Sequence, residues 1–144
     1  MSNSWICVDA SLIIKIVVEE TLSGMARQLW RDWLEQELNI AAPPLLRYEV
    51  TSVLRKQVGQ GLRTVPENRQ ALEYALTLDI HYIEPPMFYR RAFDLATTLN
   101  RPAAYDAHYL ALASHLDCEF WTADKRLVNS VSDTFPWVHW LGQV

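Results

Sequence analysis

The sequence lacks the residue patterns of several common kinds of site. It has four glycines among 144 residues, and none leads from an apolar strand pattern into a helix, which argues against a glycine-rich phosphate loop. The two cysteines, Cys7 and Cys118, form no CxxC pair, so redox chemistry is not indicated. No histidine has a second histidine four residues away, and we therefore expect no zinc site on a helix.

Long apolar runs are missing as well. No run approaches the roughly 20 residues of a membrane span, and the first residues lack the basic and apolar regions of a secretion signal. With 50% apolar and 21% charged residues, the composition is typical of a globular protein. We therefore expect a single domain over residues 1–144, cytoplasmic and without a membrane partner, whose cysteines are buried thiols and not a disulfide.

The chain also has no excess of positive charge. Its net charge is −4, which gives no general attraction to nucleic acid. If four of the acids bound metal, however, the remaining positive and negative groups would be equal in number. An RNA substrate is therefore compatible with the composition, provided that its contacts are local.

Short apolar strand patterns alternate with helical patterns along the whole chain. Strands are predicted at residues 5–8, 39–42, 80–83, 118–122 and 137–141. Helices are predicted to follow Asp9 and at about 22–38, 45–58, 65–78, 87–99, 104–116 and 124–131, with a loop at 100–102. Thr21 is the predicted cap of the second helix, and Thr64 or Val65 precedes the proline that opens the fourth. This alternation predicts an α/β fold, with helices in two layers around a mainly parallel sheet of about five strands.

Four acidic residues lie near the predicted starts of helices: Asp9, Glu49, Asp106 and Asp124. Each of them alone is explained by the helix terminus, where an acid contributes about 0.3–1 kcal/mol. Their joint placement points to a second role. The first and fourth strands should end at one edge of the sheet, and the helices that carry Glu49 and Asp106 can present their first turns there. We therefore expect the four carboxylates to share a cleft.

Clustered carboxylates raise one another's pKa unless positive charge lies between them. Oxygen ligands favour Mg²⁺ or Mn²⁺, and one or two ions would fit this ligand set. Ser11 and Thr122 add hydroxyl groups at the same edge. A divalent ion in such a cleft suits phosphodiester hydrolysis, because it can activate water and stabilise charge on the phosphate oxygens.

Four segments carry a resemblance to a known family. They are Ile6-Cys7-Val8-Asp9-Ala10-Ser11, Leu46-Arg47-Tyr48-Glu49-Val50, Tyr105-Asp106-Ala107-His108-Tyr109-Leu110-Ala111-Leu112-Ala113 and Phe120-Trp121-Thr122-Ala123-Asp124-Lys125-Arg126-Leu127. In this order and spacing they resemble the four acidic motifs of the PIN-domain family. The resemblance covers nearly the whole chain, and the length is similar to that of the single-domain VapC-type toxins.

The resemblance implies a Mg²⁺- or Mn²⁺-dependent endoribonuclease, the toxin of a type II toxin–antitoxin pair. Such a protein would be a homodimer, held inactive by a small antitoxin protein, with RNA as its substrate. By motif position, the metal-binding and catalytic acids would be Asp9, Glu49, Asp106 and Asp124. Thr122 and Ser11 would support them.

Two other interpretations stay open at this point. A non-catalytic interaction module could keep the same fold and the same acids, and metal-dependent RNA cleavage would separate it from a nuclease. An aspartyl-phosphate type phosphatase also places an aspartate after the first strand. That chemistry typically requires a second acid two residues later, where this chain has Ser11, so the phosphatase ranks below the nuclease.

Overall fold

The computed structural model describes residues 3–100 and 104–143. Its strands are β1 (Trp5–Val8), β2 (Asn39–Ala42), β3 (His81–Tyr82), β4 (Glu119–Thr122) and β5 (Val138–Trp140). They form one sheet in the order β3-β2-β1-β4-β5, and every pair is parallel. The predicted α/β fold with a parallel five-stranded sheet is therefore confirmed.

The helices follow the predicted alternation closely. They are α1 (Ala10–Val17), α2 (Ser23–Glu35), α3 (Leu45–Gly59), α4 (Val65–Thr77), α5 (Phe88–Thr98), α6 (Tyr105–Leu116) and α7 (Lys125–Val131), and a 3₁₀ turn covers Leu141–Gln143. Of the two predicted alternatives, Thr64 and Val65, the structure has Thr64 as the cap of α4. Its hydroxyl accepts a bond from the Glu67 amide while the Glu67 carboxylate accepts one from the Thr64 amide, so two helix-end donors are satisfied.

The strand order fixes the position of the helices and of the binding crevice. From β1 the chain proceeds to β2 and β3 on one side, and later returns to β4 and β5 on the other. Right-handed crossovers then place α1–α4 on one face of the sheet and α5–α7 on the opposite face. The strand order therefore reverses between β1 and β4. In open parallel sheets, ligands bind at the carboxyl ends of the strands at such a switch point.

The core lies on both sides of the central strand. In β1, Cys7 and Val8 are completely buried, and Cys7 is in register with Phe120 of β4. From α1, Leu12 and Ile13 pack into the same core. A fully buried side chain of this size stabilises the fold by about 1.5–3 kcal/mol relative to an exposed one. Both cysteines are free and buried, as predicted.

The start of α2 differs from the prediction. Thr21 does not cap this helix; the cap position is Leu22, which is left-handed with φ 74° and has no side-chain bond to the helix. The turn is organised by Ser23, whose hydroxyl donates to the Val18 carbonyl and accepts from the Glu20 amide. These two hydrogen bonds hold Ser23 against the end of α1, and α2 therefore begins at Ser23 and not at the predicted residue 22. The helix also ends before the predicted residue 38, because Glu37 is left-handed with φ 58°.

Residues 101 and 102 of the predicted loop lie outside the described residues. In the part of the chain that the structure does describe, no helix is long and apolar enough to cross a bilayer.

Candidate active site

A cleft of about 340 Å³ opens at the carboxyl ends of β1 and β4, where the strand order reverses. Its lining includes the four acids Asp9, Glu49, Asp106 and Asp124, and we call it the acidic cleft. Asp9 follows β1, and Asp124 follows β4. Glu49 is the fifth residue of α3, and Asp106 lies in the first turn of α6. Four separate segments of the sequence therefore deliver their carboxylates to one place.

Asp9 is tightly held at the cleft. Its side chain is 7% exposed, and both of its carboxylate oxygens accept hydrogen bonds. Oδ1 accepts from the Ser11 hydroxyl at 2.7 Å and from the Leu12 amide at 3.2 Å, while Oδ2 accepts from the Thr122 hydroxyl at 2.6 Å. Asp9 therefore caps α1 and also lines the cleft, so its role as a helix cap is compatible with a role in the site.

Burial controls the ionisation of Asp9. Desolvation is the largest influence and raises the pKa of this carboxyl to about 6, while the bonds from Thr122, Ser11 and the Leu12 amide lower it. The negative charge of Glu49 raises the pKa further but is the smallest of these influences. Repulsion between the acids is therefore a secondary cause at Asp9, in contrast to the sequence-based expectation.

Glu49 has a different partner. The Tyr109 hydroxyl donates to its Oε1. Desolvation raises the pKa of Glu49, the bond from Tyr109 opposes this rise, and the Asp106 charge adds to it. The buried Tyr109 hydroxyl has its own pKa raised well above the ordinary value, because burial and the Glu49 charge both disfavour phenolate. Tyr109 therefore acts as a donor and orients Glu49.

Asp124 and Asp106 complete the cleft from the other segments. Asp124 caps α7 through Oδ1, which accepts from the amides of Arg126 and Leu127. Its own amide donates to the Thr122 hydroxyl oxygen at 3.0 Å, which links Asp124 to Asp9 through one side chain. Asp106 lies in the first turn of α6, close enough to Glu49 for its charge to raise that pKa.

The acids line one cleft without forming a closed cage. Within residues 3–100 and 104–143, no three acidic, histidine or cysteine side chains stand close enough together to hold a metal ion as they are. Glu20 also lines the cleft, and its Oε1 atom is buried without a hydrogen-bond partner among the described residues. Carboxylate oxygens in the lining, one of them buried and unsatisfied, are the donors that a hard cation would favour.

Among the cleft residues that sequence reasoning missed are Lys15, Glu20 and Tyr109. Lys15 pairs with Glu20 at 3.3 Å and brings positive charge to the lining. Two of the three had a detectable signal, because Lys15 is four residues after Ser11 and Tyr109 three after Asp106, and both spacings share a helix face. Glu20 had none, since its position depends on the turn between α1 and α2.

Comparison with known proteins matches most of the chain to one family. The model of the PIN domain matches residues 6–130, a range that contains all four acids of the cleft. VapC ribonuclease Mb0985 of Mycobacterium bovis is 31% identical over 125 residues, which are 87% of this chain and 90% of the relative. Ribonuclease VapC9 of Mycobacterium tuberculosis matches with the same identity and coverage.

A solved structure has a similar fold. The crystal structure of PAE2754 from Pyrobaculum aerophilum superposes with a TM-score of 0.64, covering 87% of this chain and 83% of that one. The two sequences are 20% identical, so this likeness concerns the fold.

Proposed function

Because the chain belongs to the PIN-domain family and has VapC ribonucleases among its relatives, we propose that it is an endoribonuclease that cleaves RNA at the acidic cleft with the help of Mg²⁺ or Mn²⁺. One observation carries the proposal: four carboxylates from distant segments line a single cleft at the switch point of the sheet. The four acids are proposed as the metal-binding and catalytic residues, supported by Thr122 and Ser11.

The chain's own residues hold this arrangement in place. The hydroxyls of Ser11 and Thr122 fix the orientation of Asp9, and Tyr109 fixes that of Glu49. Lys15 is the cationic residue that the structure describes in the lining, and we assign it to the phosphate of the bound RNA. For this contact the Lys15 ammonium exchanges its pairing with Glu20 for one with the phosphate.

A divalent cation fits the donor chemistry of the acidic cleft. Mg²⁺ usually keeps several of its waters and binds through one or two carboxylates together with substrate phosphate, so a closed protein cage is not required. Asp9 and its neighbours would hold the ion, and one or two ions belong to the proposal. When bound, the cation lowers the pKa of a water and stabilises charge on the phosphate oxygens.

The proposal extends to the role of the protein in the cell. The VapC names of the relatives support the toxin of a type II pair with a small antitoxin partner. A homodimer is part of the proposal through the family resemblance alone. A cytoplasmic location belongs to the same proposal, since the substrate would be cellular RNA and both cysteines are free thiols.

The direct test is RNA cleavage by the purified protein. We expect cleavage of an unstructured RNA with Mg²⁺ or Mn²⁺ and none with EDTA. Asp106→Asn and Glu49→Gln should each lower the rate by about 100-fold or more, because each removes a charge from the cleft. The matched controls Asp133→Asn and Glu73→Gln alter exposed acids outside the cleft and should cleave like the wild type.

Two outcomes would overturn the proposal. If cleavage continued in EDTA at the same rate, the reaction would not require a divalent metal. An absence of cleavage in every metal, with the fold intact by circular dichroism, would favour the non-catalytic interaction module.

A further inference from the structure

A second cleft, also of about 340 Å³, lies beside the acidic cleft. We call it the aromatic pocket and define it by Tyr48, Glu84, Phe88, Tyr89, Tyr105 and His108. The two clefts share helices: Tyr48 directly precedes Glu49 on α3, and Tyr105 directly precedes Asp106 on α6. His108 lies close enough to Glu49 for its charge to lower the pKa of that carboxyl. A ligand in one cleft is therefore adjacent to the other.

The floor of the aromatic pocket is a packed group of rings. The ring centroids of Phe88 and His108 are 5.3 Å apart, and those of Tyr89 and His108 are 5.8 Å apart. These contacts join α5 to α6 and are explained by folding alone. Tyr89 is 61% exposed, but its ring contacts His108 and its hydroxyl donates to Glu84. Tyr48 and Tyr105 also line the pocket and are 74% and 61% exposed. Packing within this chain does not account for two open aromatic faces at the rim.

The polar groups of the pocket suit the edge of a nucleobase. Glu84 offers a carboxylate that already accepts a bond from the Tyr89 hydroxyl. Nδ1 of His108 lies 2.6 Å from the Ala104 carbonyl oxygen and donates to it, which leaves Nε2 as an acceptor whenever the ring is neutral. Both groups can therefore accept hydrogen bonds from amino and imino groups of a base.

Positive charge follows the pocket residues along α5. Arg90 and Arg91 are exposed in the first turn of α5, immediately after the pocket residues Phe88 and Tyr89. Open aromatic faces, base-edge acceptors and nearby guanidinium groups are the combination that binds single-stranded nucleic acid. A purely apolar protein contact would not need the cations or the acceptors.

We propose that the aromatic pocket binds an unpaired base of single-stranded RNA next to the phosphodiester bond that is cleaved. Tyr48 and Tyr105 stack on the base, and Arg90 or Arg91 contacts a flanking phosphate. The inference rests on the proposed function in one respect, that the ligand is RNA. It adds a subsite that selects unpaired substrate and that lies outside the four acids.

The test measures binding without cleavage. Wild type is titrated in EDTA into a short unstructured oligoribonucleotide that carries 2-aminopurine, whose fluorescence is quenched when it stacks on an aromatic ring. We expect quenching in wild type, and binding about 10-fold weaker in Tyr48→Ala and in Tyr105→Ala, since stacking on one ring is worth that much. Tyr48→Phe and Tyr105→Phe keep the ring and should bind like wild type. Tyr74→Ala, an exposed tyrosine on α4, is the matched control.

The outcomes separate this inference from the endoribonuclease proposal. No quenching in wild type, or equal affinity in wild type and both alanine variants, overturns the subsite. If the alanine variants form an assembly of different mass from wild type but bind RNA equally well, the subsite is also overturned, and the surface belongs to a protein partner. Quenching that depends on the tyrosines in a protein that cleaves no RNA would support the subsite and contradict the endoribonuclease. Where cleavage occurs, the alanine variants should raise KM about 10-fold with little change in kcat.

Discussion

Asp9 occupies a position that both folding and function use. Its carboxylate caps α1, is bound by two hydroxyls and is almost completely buried. Burial raises its pKa from 3.8 to about 6. Because the folded state binds this proton more tightly than the unfolded chain, the ionised carboxylate destabilises the metal-free fold at neutral pH. A cation in the acidic cleft would offset that cost.

The first prediction concerns Asp9→Asn in metal-free buffer. The pKa difference corresponds to roughly 3 kcal/mol at neutral pH, and poorer hydrogen bonding of the amide should reduce the gain to about 1–2 kcal/mol. The variant should therefore melt several degrees above wild type at pH 7. The advantage should shrink as pH falls through 6 and vanish below about pH 3, where Asp9 is protonated in both states. Melting curves of both proteins from about pH 3 to pH 8 in EDTA check this, and an advantage independent of pH would contradict it.

The second prediction concerns Tyr109→Phe, which removes the donor to Glu49. Since that bond lowers the pKa of Glu49, its loss should raise the pKa further. RNA cleavage should then require higher pH, with a loss of about 10-fold at pH 6 that shrinks by pH 8. The pH profile of kcat/KM measures this, and Tyr82→Phe, which removes a hydroxyl outside the acidic cleft, is the control. An unshifted profile in Tyr109→Phe would mean that Tyr109 does not tune Glu49.

At the scale of elements, the apolar runs and the residues that start and end helices predicted the fold well. The four residues of β1 had no polar member and form a buried central strand, and α4 begins at the predicted Thr64-Val65-Pro66 segment, with Thr64 as its cap. The predicted cap of α2 was wrong. The hydrogen bond from the Ser23 hydroxyl to the Val18 carbonyl sets the start of the helix, and the local preference of Thr21 for a cap position does not. Local sequence patterns do not contain such contacts between elements.

The third prediction compares those two threonines. Thr64→Ala removes one half of a capping box and should lower the free energy of unfolding by about 1 kcal/mol. Thr21→Ala alters an exposed turn residue that caps nothing and should change it by less than about 0.5 kcal/mol. Chemical denaturation of both variants measures the difference, and RNA cleavage should be unaffected because neither residue lines the acidic cleft. Equal losses in the two variants would contradict the cap assignment.

At the scale of the whole molecule, the strand order brings the site together. The reversal between β1 and β4 places Asp9 and Asp124 side by side, and α3 and α6 supply Glu49 and Asp106. The sequence patterns predicted the strand ends, and the resemblance to a family identified the same acids. Lys15 and Glu20 could not be assigned to the cleft beforehand, because their position depends on how α1 packs and turns above the sheet.

The central claim is that the four acids bind a divalent cation together. The most direct measurement is thermal denaturation of wild type and Asp106→Asn, first in EDTA and then with millimolar Mg²⁺ or Mn²⁺. A ligand that binds only the folded state raises stability by RT ln(1 + [L]/Kd), so wild type should melt at a higher temperature with metal, and Asp106→Asn should shift little. In EDTA the variant should be at least as stable as wild type, because it removes a charge that acts on Glu49. If metal shifts neither protein, or both equally, the acids are separate helix caps and not one cation site.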